Sequence, residues 1–446
     1  MTNDRRQGVI MVVWNESYEC MSRDELEQLQ LERLQATLNR VYRNVSFYKK
    51  SFDAIGFVPE ELDDLGSLSR LPFTSRQDLS VAYPYEMFAV PLREVVRIHS
   101  SSGTSENPSI VGYTANDLKH WGDLVARLLS AAGVTREDVV QIAFNYGLFT
   151  GAFGLHYGAE RIGASVVPSS VGNTRRQVRI LKDYRTTTLV CTPGYALRIA
   201  EVMEETDVDP KTLALKLGLF GGEPWDDGVR EAIEERLYIK AYDNYGLSEV
   251  MGPGVAGECP HRAGMHVSED HFIAEIINPD TCEVLPKGTT GELVLTTITK
   301  EAFPVIRFRT GDLTSLDDSP CPCGRTLARI SKISGRCDDI VIVKGVNIYP
   351  RGVGEILKAV TGVEPAFQLV VGRKNHQDFL GIRIEVSEAI FFDKMEKQRA
   401  MVDRLRKKVR DTLGITPHIW LVEAGSILRH EETAPMVVDR RKRSNS

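Results

Sequence analysis

Apolar residues recur at helical spacing near the start of the chain. They lie three or four positions apart and so share one helix face: Leu31, Leu34, Leu38, Val41 and Val45. A serine followed three residues later by a glutamate, Ser22 and Glu25, is typical of a capped helix start. The pattern therefore predicts an amphipathic helix over residues 22–45.

Short apolar runs then alternate with amphipathic segments. The strand-like runs lie at 139–144, 164–168, 188–191 and 217–220, and the helical segments at 176–184, 195–205 and 226–237. Strands that alternate with helices through Gly/Pro turns are typical of a parallel sheet covered by helices. Because such sheets bind ligands at the carboxyl ends of their strands, the predicted site loops are 145–147, 192–194, 221–224 and 245–249.

The pattern after the parallel sheet is antiparallel. Strand-like runs at 272–277 and 292–295 flank a turn, as in a meander. After Gly335 a βαββαβ order begins, which is typical of a small α+β domain. We predict an α/β fold in which residues 1–335 form a large domain with a helix-covered, mainly parallel sheet and an antiparallel meander. Residues 336–446 are predicted to form a small, mobile C-terminal domain.

The overall charge is slightly negative, with 55 Lys and Arg against 61 Asp and Glu and a net charge of −6. This balance argues against a nucleic-acid-binding surface. No apolar run is long enough to span a bilayer, so we expect a cytoplasmic protein without a membrane partner. The basic tail at 440–443 is expected to be a frayed, solvated end. The seven cysteines favour thiols or a metal site over a disulfide framework.

A serine-rich segment begins shortly after the apolar residues Val96 and Ile98. Its residues combine backbone N–H groups with hydroxyl donors, both suited to phosphate oxygens: Ser101, Ser102, Gly103 and Thr104. No lysine follows the glycine, so this is not the phosphate loop that ends in Gly-Lys-Ser/Thr. Alone, such a run is more often a solvated loop. Other motifs are needed to decide between the two interpretations.

Further motifs occur in a fixed order along the chain. They lie at 145–151, 172–177, 191–195, 221–225, 245–254, 307–313 and 335–339. Together with Ser101–Thr104, this set resembles the adenylate-forming enzymes, and within them the phenylacetate–coenzyme A ligase family, over nearly the whole chain. One such motif is ambiguous, whereas the ordered set is specific.

The resemblance implies an AMP-forming ligase for an aromatic acid, either aryl or arylacetic. The acid would react with ATP to give an acyl-adenylate and pyrophosphate, and coenzyme A would then displace AMP. Both steps build negative charge on oxygen, which calls for positioned donors and Mg²⁺. The implied catalytic residues are Thr104, Glu249, Arg336 and Asp338, with Glu249 as the Mg²⁺ ligand and Asp338 as the hinge of the small domain.

The resemblance also implies the binding residues. Ser101, Ser102, Gly103 and Thr104 would hold the triphosphate, and Gly222, Glu223 and Pro224 would border an adenine on which Tyr245 stacks. Asp312 would bind the ribose hydroxyls beside Arg336, and Gly345 would let the pantetheine arm of coenzyme A pass close to the backbone. The acyl pocket would be lined by Phe144, Tyr146, Phe149 and Gly151, although plain packing at the top of the sheet explains each of these residues equally well.

Four residues form a candidate zinc site. Three thiolates and one imidazole are a typical tetrahedral ligand set, here Cys259, His266, Cys321 and Cys323. His261 is an alternative imidazole, and free thiols beside a buried histidine are the alternative to a metal. Some members of the family carry a structural zinc of this kind. We favour a structural zinc that stabilises the meander.

The chain departs from the family pattern in two places. Glu106 and Asn107 stand where many members have Gly-Lys, and Thr433 stands where a lysine bridges carboxylate and α-phosphate. Lys344 or Arg429 could supply the missing cation, adenylation could be slow, or the chain could be a specialised member. Two alternatives to the ligase remain. Thr433 supports a partner-dependent relative impaired in adenylation, whereas an adenylyltransferase of the deazaflavin-coenzyme type is not specifically favoured by the missing lysine. A homodimer is the default expectation.

Overall fold

The computed structural model describes residues 13–101, 108–337, 341–361, 366–374, 377–386, 395–423, 427 and 437–441. The helices are α1 Glu16–Glu19, α2 Arg23–Asn44, α3 Ser46–Ala54, α4 Arg76–Val81, α5 Ala115–Ala131, α6 Gly151–Ile162, α7 Thr174–Asp183, α8 Pro193–Glu205, α9 Asp227–Leu237, α10 Pro350–Thr361 and α11 Met395–Leu413. Short 3₁₀ turns lie at Pro59–Glu61, Gly66–Arg70, Leu92–Glu94 and Pro210–Thr212.

The strands begin with β1 Arg97–Ser100, β2 Ile110–Tyr113, β3 Val139–Ile142, β4 Ser165–Val167, β5 Thr188–Cys191, β6 Leu217–Gly221, β7 Lys240–Leu247, β8 Gly252–Glu258, β9 Met265–Val267, β10 Phe272–Ile277 and β11 Gly291–Thr297. They continue with β12 Phe308–Thr314, β13 Leu316–Asp317, β14 Arg329–Ile330, β15 Gly335–Arg336, β16 Val341–Val343, β17 Val346–Ile348, β18 Phe367–Lys374, β19 Gln377–Val386, β20 His418–Glu423 and β21 Val437–Asp439.

The predicted amphipathic helix is α2. The Ser22 hydroxyl accepts a hydrogen bond from the Glu25 backbone N–H, and the Glu25 carboxylate accepts from the Ser22 N–H. Leu34, Leu38 and Val41 are fully buried on the predicted face. The spacing and the capping box were therefore sufficient to predict this element.

The largest sheet has the strand order β13-β14-β9-β8-β7-β6-β5-β3-β4. The strands from β4 to β7 are parallel, as the βα alternation predicts, and antiparallel strands extend the sheet beyond β7. The predicted meander is the separate antiparallel sheet β10-β11-β12-β15. These sheets confirm the predicted fold class.

The C-terminal sheet has the order β20-β19-β18-β21. One face packs on α10 and α11 around a separate apolar cluster that includes Leu369, Ile382 and Leu405. The predicted βαββαβ order is present, and β17 and β21 are additions to it. The domain boundary at 335/336 stays a prediction.

The basic tail is not a frayed end at Arg441. Its Nη1 donates to Asp378 Oδ2 over 2.8 Å and to the backbone oxygen of Ile342 over 2.9 Å. Strand β21 pairs in parallel with β18, which brings Arg441 to this buried carboxylate. The expectation of a solvated end was wrong here because strand pairing is a long-range contact that local charge does not reveal.

Candidate active site

A cleft opens where the parallel strands β6 and β7 end. Its walls combine residues of six predicted motifs with residues from elsewhere, namely Arg76, Ser101, Phe149, Gly222–Trp225, Asp243–Glu249, Met265, Asp312, Ile333, Arg336, Ile342 and Gly345. The carboxyl ends of neighbouring parallel strands meet at one edge of a sheet. Loops far apart in the sequence therefore share a single cleft.

The serine-rich segment is described only at its start. Ser101 lines the cleft, and its backbone N–H donates to the Ser109 carbonyl over 2.9 Å. The Ser101 hydroxyl accepts from the Ser109 N–H over 3.0 Å. Ser102, Gly103 and Thr104 lie outside the described residues, as do Glu106 and Asn107. Their phosphate-binding role stays a prediction.

A hydrogen bond and an ion pair join the side chains of Tyr245, Asp312 and Arg336 in the cleft. The Tyr245 hydroxyl donates to Asp312 Oδ2 over 2.7 Å, and Arg336 pairs with Asp312 Oδ1. Arg336 also donates to the Thr310 carbonyl over 2.9 Å. The register of β12 and β15 sets Asp312 opposite Arg336, which explains the pairing. Burial and the neighbouring Asp312 carboxylate hold the pKa of Tyr245 well above its usual value.

Glu249 is 2% exposed and points at the same cleft. Its Oε1 lies 3.7 Å from Arg76 Nε, and no hydrogen-bond donor among the described residues reaches that oxygen. A buried carboxylate oxygen without a donor is suited to a hard cation such as Mg²⁺. The residues present therefore fit a metal at the predicted position.

Arg76 is a cleft residue that the sequence did not reveal. It opens α4, where Ser75 and Asp78 form a capping box, and its Nη1 donates to the Thr310 carbonyl over 2.7 Å. Its guanidinium lies 5.6 Å from the centre of the Phe308 ring. The capping box is readable in the sequence and would have predicted the helix. The contact across more than 230 residues is not readable there.

Glu223 lies between the cleft and a second cavity. Its Oε1 accepts from the Gly194 N–H over 2.9 Å, while Oε2 is buried without a hydrogen-bond partner in the described part of the chain. Burial raises the pKa of this carboxyl from 4.5 to about 7, against the lowering effect of the Gly194 hydrogen bond. The adjoining Gly222 has a φ of +79° and Pro224 lines the cleft beside it.

This raised pKa predicts a pH-dependent stability. The unfolded chain loses the Glu223 proton near pH 4.5 and the folded chain near pH 7, so the contribution of Glu223 to stability declines as pH rises between these values. We expect Glu223→Gln to flatten this decline and to melt a few degrees higher than the parent at pH 8. Melting temperatures at pH 5, 6, 7 and 8 test this. An unchanged difference between variant and parent at all four values would contradict it.

The second cavity has a volume of about 850 Å³ and adjoins the cleft. It is lined by Ser100, Ser101, Ala143–Asn145, Leu148, Phe149, Val171, Thr174, Thr192, Gly194, Tyr195, Arg198, Gly222, Glu223, Lys344–Val346, Gln377, Asp378 and Thr412–Thr416. Five residues line both spaces: Ser101, Phe149, Gly222, Glu223 and Gly345. The cavity therefore connects the end of the parallel sheet with the C-terminal sheet.

Two of the four predicted acyl-pocket residues line this cavity, Phe144 and Phe149. Tyr146 instead packs edge-to-face on Phe153, and its hydroxyl lies 3.2 Å from His156 Nδ1. Gly151 lies behind the Phe149 ring, where an added Cβ would come within 2.8 Å of it. Tyr146 and Gly151 are therefore outside the cavity lining because neighbouring aromatic residues cover them.

Gly345, in the C-terminal part of the chain, lies beside the loops that follow β5 and β6. Its φ is +74°, and an added Cβ would lie 3.5 Å from Thr192 Cγ2. That distance is an ordinary van der Waals contact, so it is the left-handed backbone that favours glycine at this position. Asp338, the predicted hinge, lies outside the described residues, as does Thr433.

The predicted metal ligands form one buried cluster. The donor atoms of Cys259, His266, Cys321 and Cys323 all lie within 4.8 Å of one another. The sulfurs of Cys259 and Cys321 are 3.8 Å apart, which matches the roughly 3.8 Å expected for two thiolates on one tetrahedral zinc. His266 Nδ1 contacts the Leu327 carbonyl over 3.1 Å, which leaves Nε2 facing Cys323. His266, rather than the exposed His261, completes the set.

Comparison with known proteins agrees with this arrangement. The family profile "AMP-binding enzyme" matches residues 101–299, and "AMP-binding enzyme C-terminal domain" matches residues 345–441. A phenylacetate–coenzyme A ligase from Aromatoleum evansii is 44% identical over 429 residues, covering 96% of this chain and 97% of the relative. The chain belongs to the phenylacetate–coenzyme A ligase family. It is thus an AMP-forming acid–coenzyme A ligase by class.

Other members of this ligase family and solved structures extend the comparison. The Escherichia coli K12 phenylacetate–coenzyme A ligase is 44% identical, covering 95% of this chain and 97% of the relative. A 2-hydroxyisobutyryl-CoA ligase in the thioesterification state has a TM-score of 0.91 at 29% identity, covering 96% of this chain and 93% of that one. The same ligase in the postadenylation state has a TM-score of 0.71 at 28% identity, covering 99% and 96%. No helix in the described ranges has the length and apolarity needed to cross a bilayer.

Proposed function

We propose that this ligase converts an aromatic acid, of the aryl or arylacetic kind, into its coenzyme A thioester through an acyl-adenylate. The observation that carries the proposal is the pair of connected spaces, because a nucleotide, an acid and a thiol must meet at one point. The cleft offers buried polar groups suited to a nucleotide, and the adjoining cavity offers the aromatic walls Phe144 and Phe149. The names of the relatives support an arylacetic acid.

The first half-reaction would take place in the cleft. A carboxylate oxygen of the acid attacks the α-phosphorus of ATP, the new P–O bond forms, and the bond to pyrophosphate breaks. Ser101 and the segment after it would bind the triphosphate, and Asp312 would bind the ribose hydroxyls. Mg²⁺, when bound, supplies charge stabilisation to the phosphate oxygens, and Glu249 would hold it.

The second half-reaction would use the larger cavity. The coenzyme A sulfur, having lost its proton, attacks the acyl carbon, and the bond to AMP breaks. Gly345 lies beside Thr192 and Gly222, and the thiol arm would pass close to its backbone. The higher TM-score with the thioesterification state of the 2-hydroxyisobutyryl-CoA ligase supports an arrangement of the chain suited to this step.

We further propose that the Cys/His cluster binds zinc in a structural role. Its four buried ligands form a closed set with no position open for a substrate, which is typical of structural zinc sites. It joins the loop after β8 to the loop before β14. A cytoplasmic location and a homodimer remain our predictions.

Pyrophosphate release tests the proposal and its alternatives. Purified protein would be supplied with ATP, Mg²⁺ and a panel of aromatic acids, with and without coenzyme A. We expect release with at least one acid, and AMP together with a thioester only when coenzyme A is present. AMP transfer to a hydroxyl acceptor without coenzyme A would favour the adenylyltransferase. A chain that makes thioester only from a supplied acyl-adenylate would be impaired in adenylation, as Thr433 suggests.

A further inference from the structure

Three aromatic residues form a strip on the open face of the C-terminal sheet: Phe379, His418 and Trp420. The Phe379 and His418 ring centres are 5.2 Å apart, and His418 and Trp420 are stacked with centres 6.1 Å apart and planes 16° apart. The opposite face of the same strands carries the buried core residues Ile382 and Ile419. The strip is therefore on the side of the sheet that the two helices leave uncovered.

Glycines lie beneath two of the three rings. A Cβ at Gly381 would come within 2.2 Å of the Trp420 ring, and one at Gly372 within 2.5 Å of the Phe379 ring. The absence of a side chain lets each ring lie against the strand backbone. Trp420 nevertheless stays 42% exposed, so its large ring remains accessible. Flat, exposed aromatic rings on a sheet are a common platform for stacking a nucleobase.

The strip begins where the large cavity ends. Gln377 and Thr416 both line that cavity. Phe379 follows Gln377 by two positions in β19 and so lies about 7 Å further along that strand, while His418 begins β20 two residues after Thr416. Arg383, paired with Gln368, lies opposite Trp420 in the register and adds a cation beside the strip, while Glu385 is held by the Ile427 N–H.

We propose that this strip binds the adenine of coenzyme A while the thiol arm occupies the cavity. The inference rests on the proposed function, which assigns the cavity to the thiol arm. The strip continues from the cavity, and coenzyme A carries an adenosine 3′,5′-bisphosphate at the end opposite its thiol. The adenine would therefore lie at the strip when the thiol arm lies in the cavity. A molecule with its thiol at Gly345 has its nucleotide beyond the outer end of the cavity.

A comparison of two thiols tests the strip. Kinetics of the full chain would be measured with coenzyme A and with 4′-phosphopantetheine, which lacks the adenosine. We expect Trp420→Ala to raise the KM for coenzyme A about tenfold, as loss of one base stack implies, and to leave the KM for 4′-phosphopantetheine unchanged. Trp420→Phe should restore most of the affinity. Tyr184→Ala, which removes a 59% exposed aromatic residue elsewhere, is the matched control.

Binding of adenosine 3′,5′-bisphosphate alone separates this inference from the proposed function. Calorimetry should show binding to the parent and about tenfold weaker binding to Trp420→Ala, whether or not any thioester is formed. Equal KM changes for both thiols, unchanged KM for both, or equal bisphosphate affinity in parent and variant would each overturn the proposal. Failure of the parent to form any thioester would instead overturn the proposed function.

Discussion

Glu249→Gln should reduce pyrophosphate release at least about a hundredfold. The Glu249 carboxylate is buried in the cleft with one oxygen free of hydrogen-bond donors in the described residues, so it is the group best placed to hold Mg²⁺. A bound divalent ion contributes several kcal/mol to phosphoryl-type transition states, and each 1.36 kcal/mol is a factor of about ten. The measurement is the single-turnover rate of pyrophosphate release at saturating Mg²⁺.

The matched control for this prediction is Glu160→Gln, which neutralises an exposed glutamate on α6. The control should keep the parent rate, and both variants should keep the parent melting temperature within a few degrees. Thioester formation from a supplied acyl-adenylate should be less affected than pyrophosphate release. A Glu249→Gln rate within threefold of the parent would show that the carboxylate does not hold the metal.

Cys321→Ser should cost the protein its zinc and roughly 5–10 °C of melting temperature. The cluster is closed and buried, so the loss of one thiolate leaves three ligands and an open position in the interior. Metal analysis of the purified parent should find about one zinc per chain. Without zinc, the free energy of unfolding should fall by several kcal/mol, and the melting temperature should fall with it.

Cys282→Ser is the control for the zinc prediction, because this half-buried thiol lies outside the cluster. It should keep both the zinc and the melting temperature of the parent. Purified parent protein with less than about a tenth of an equivalent of zinc would contradict the assignment. So would a Cys321→Ser protein that retains its zinc.

Local patterns were sufficient for much of the fold. The spacing of Leu34 and Leu38, with the Ser22–Glu25 box, specifies α2 without help from the rest of the chain. The parallel pairing of β3 to β7 follows from their alternation with helices, and the site loops follow from the strand ends. Asp312 and Glu249 could be predicted because each belongs to a motif that resembles one of the adenylate-forming enzymes. Both residues line the cleft.

Long-range contacts account for what the sequence did not reveal. Arg76 enters the cleft because its side chain reaches the Thr310 carbonyl on β12, more than 230 residues away. Arg441 is partly buried because β21 pairs with β18 beside Asp378. None of these contacts has a local signal, since each depends on which surfaces meet after folding.

The most direct test of the proposed activity is to identify the products formed from phenylacetate, ATP, Mg²⁺ and coenzyme A. Mass spectrometry should detect phenylacetyl-coenzyme A and AMP in equal amounts, with benzoate and 2-hydroxyisobutyrate as comparison acids. We expect a higher kcat/KM for an aromatic acid than for 2-hydroxyisobutyrate, because Phe144 and Phe149 line the cavity. Absence of any aromatic thioester, with 2-hydroxyisobutyrate converted instead, would contradict it.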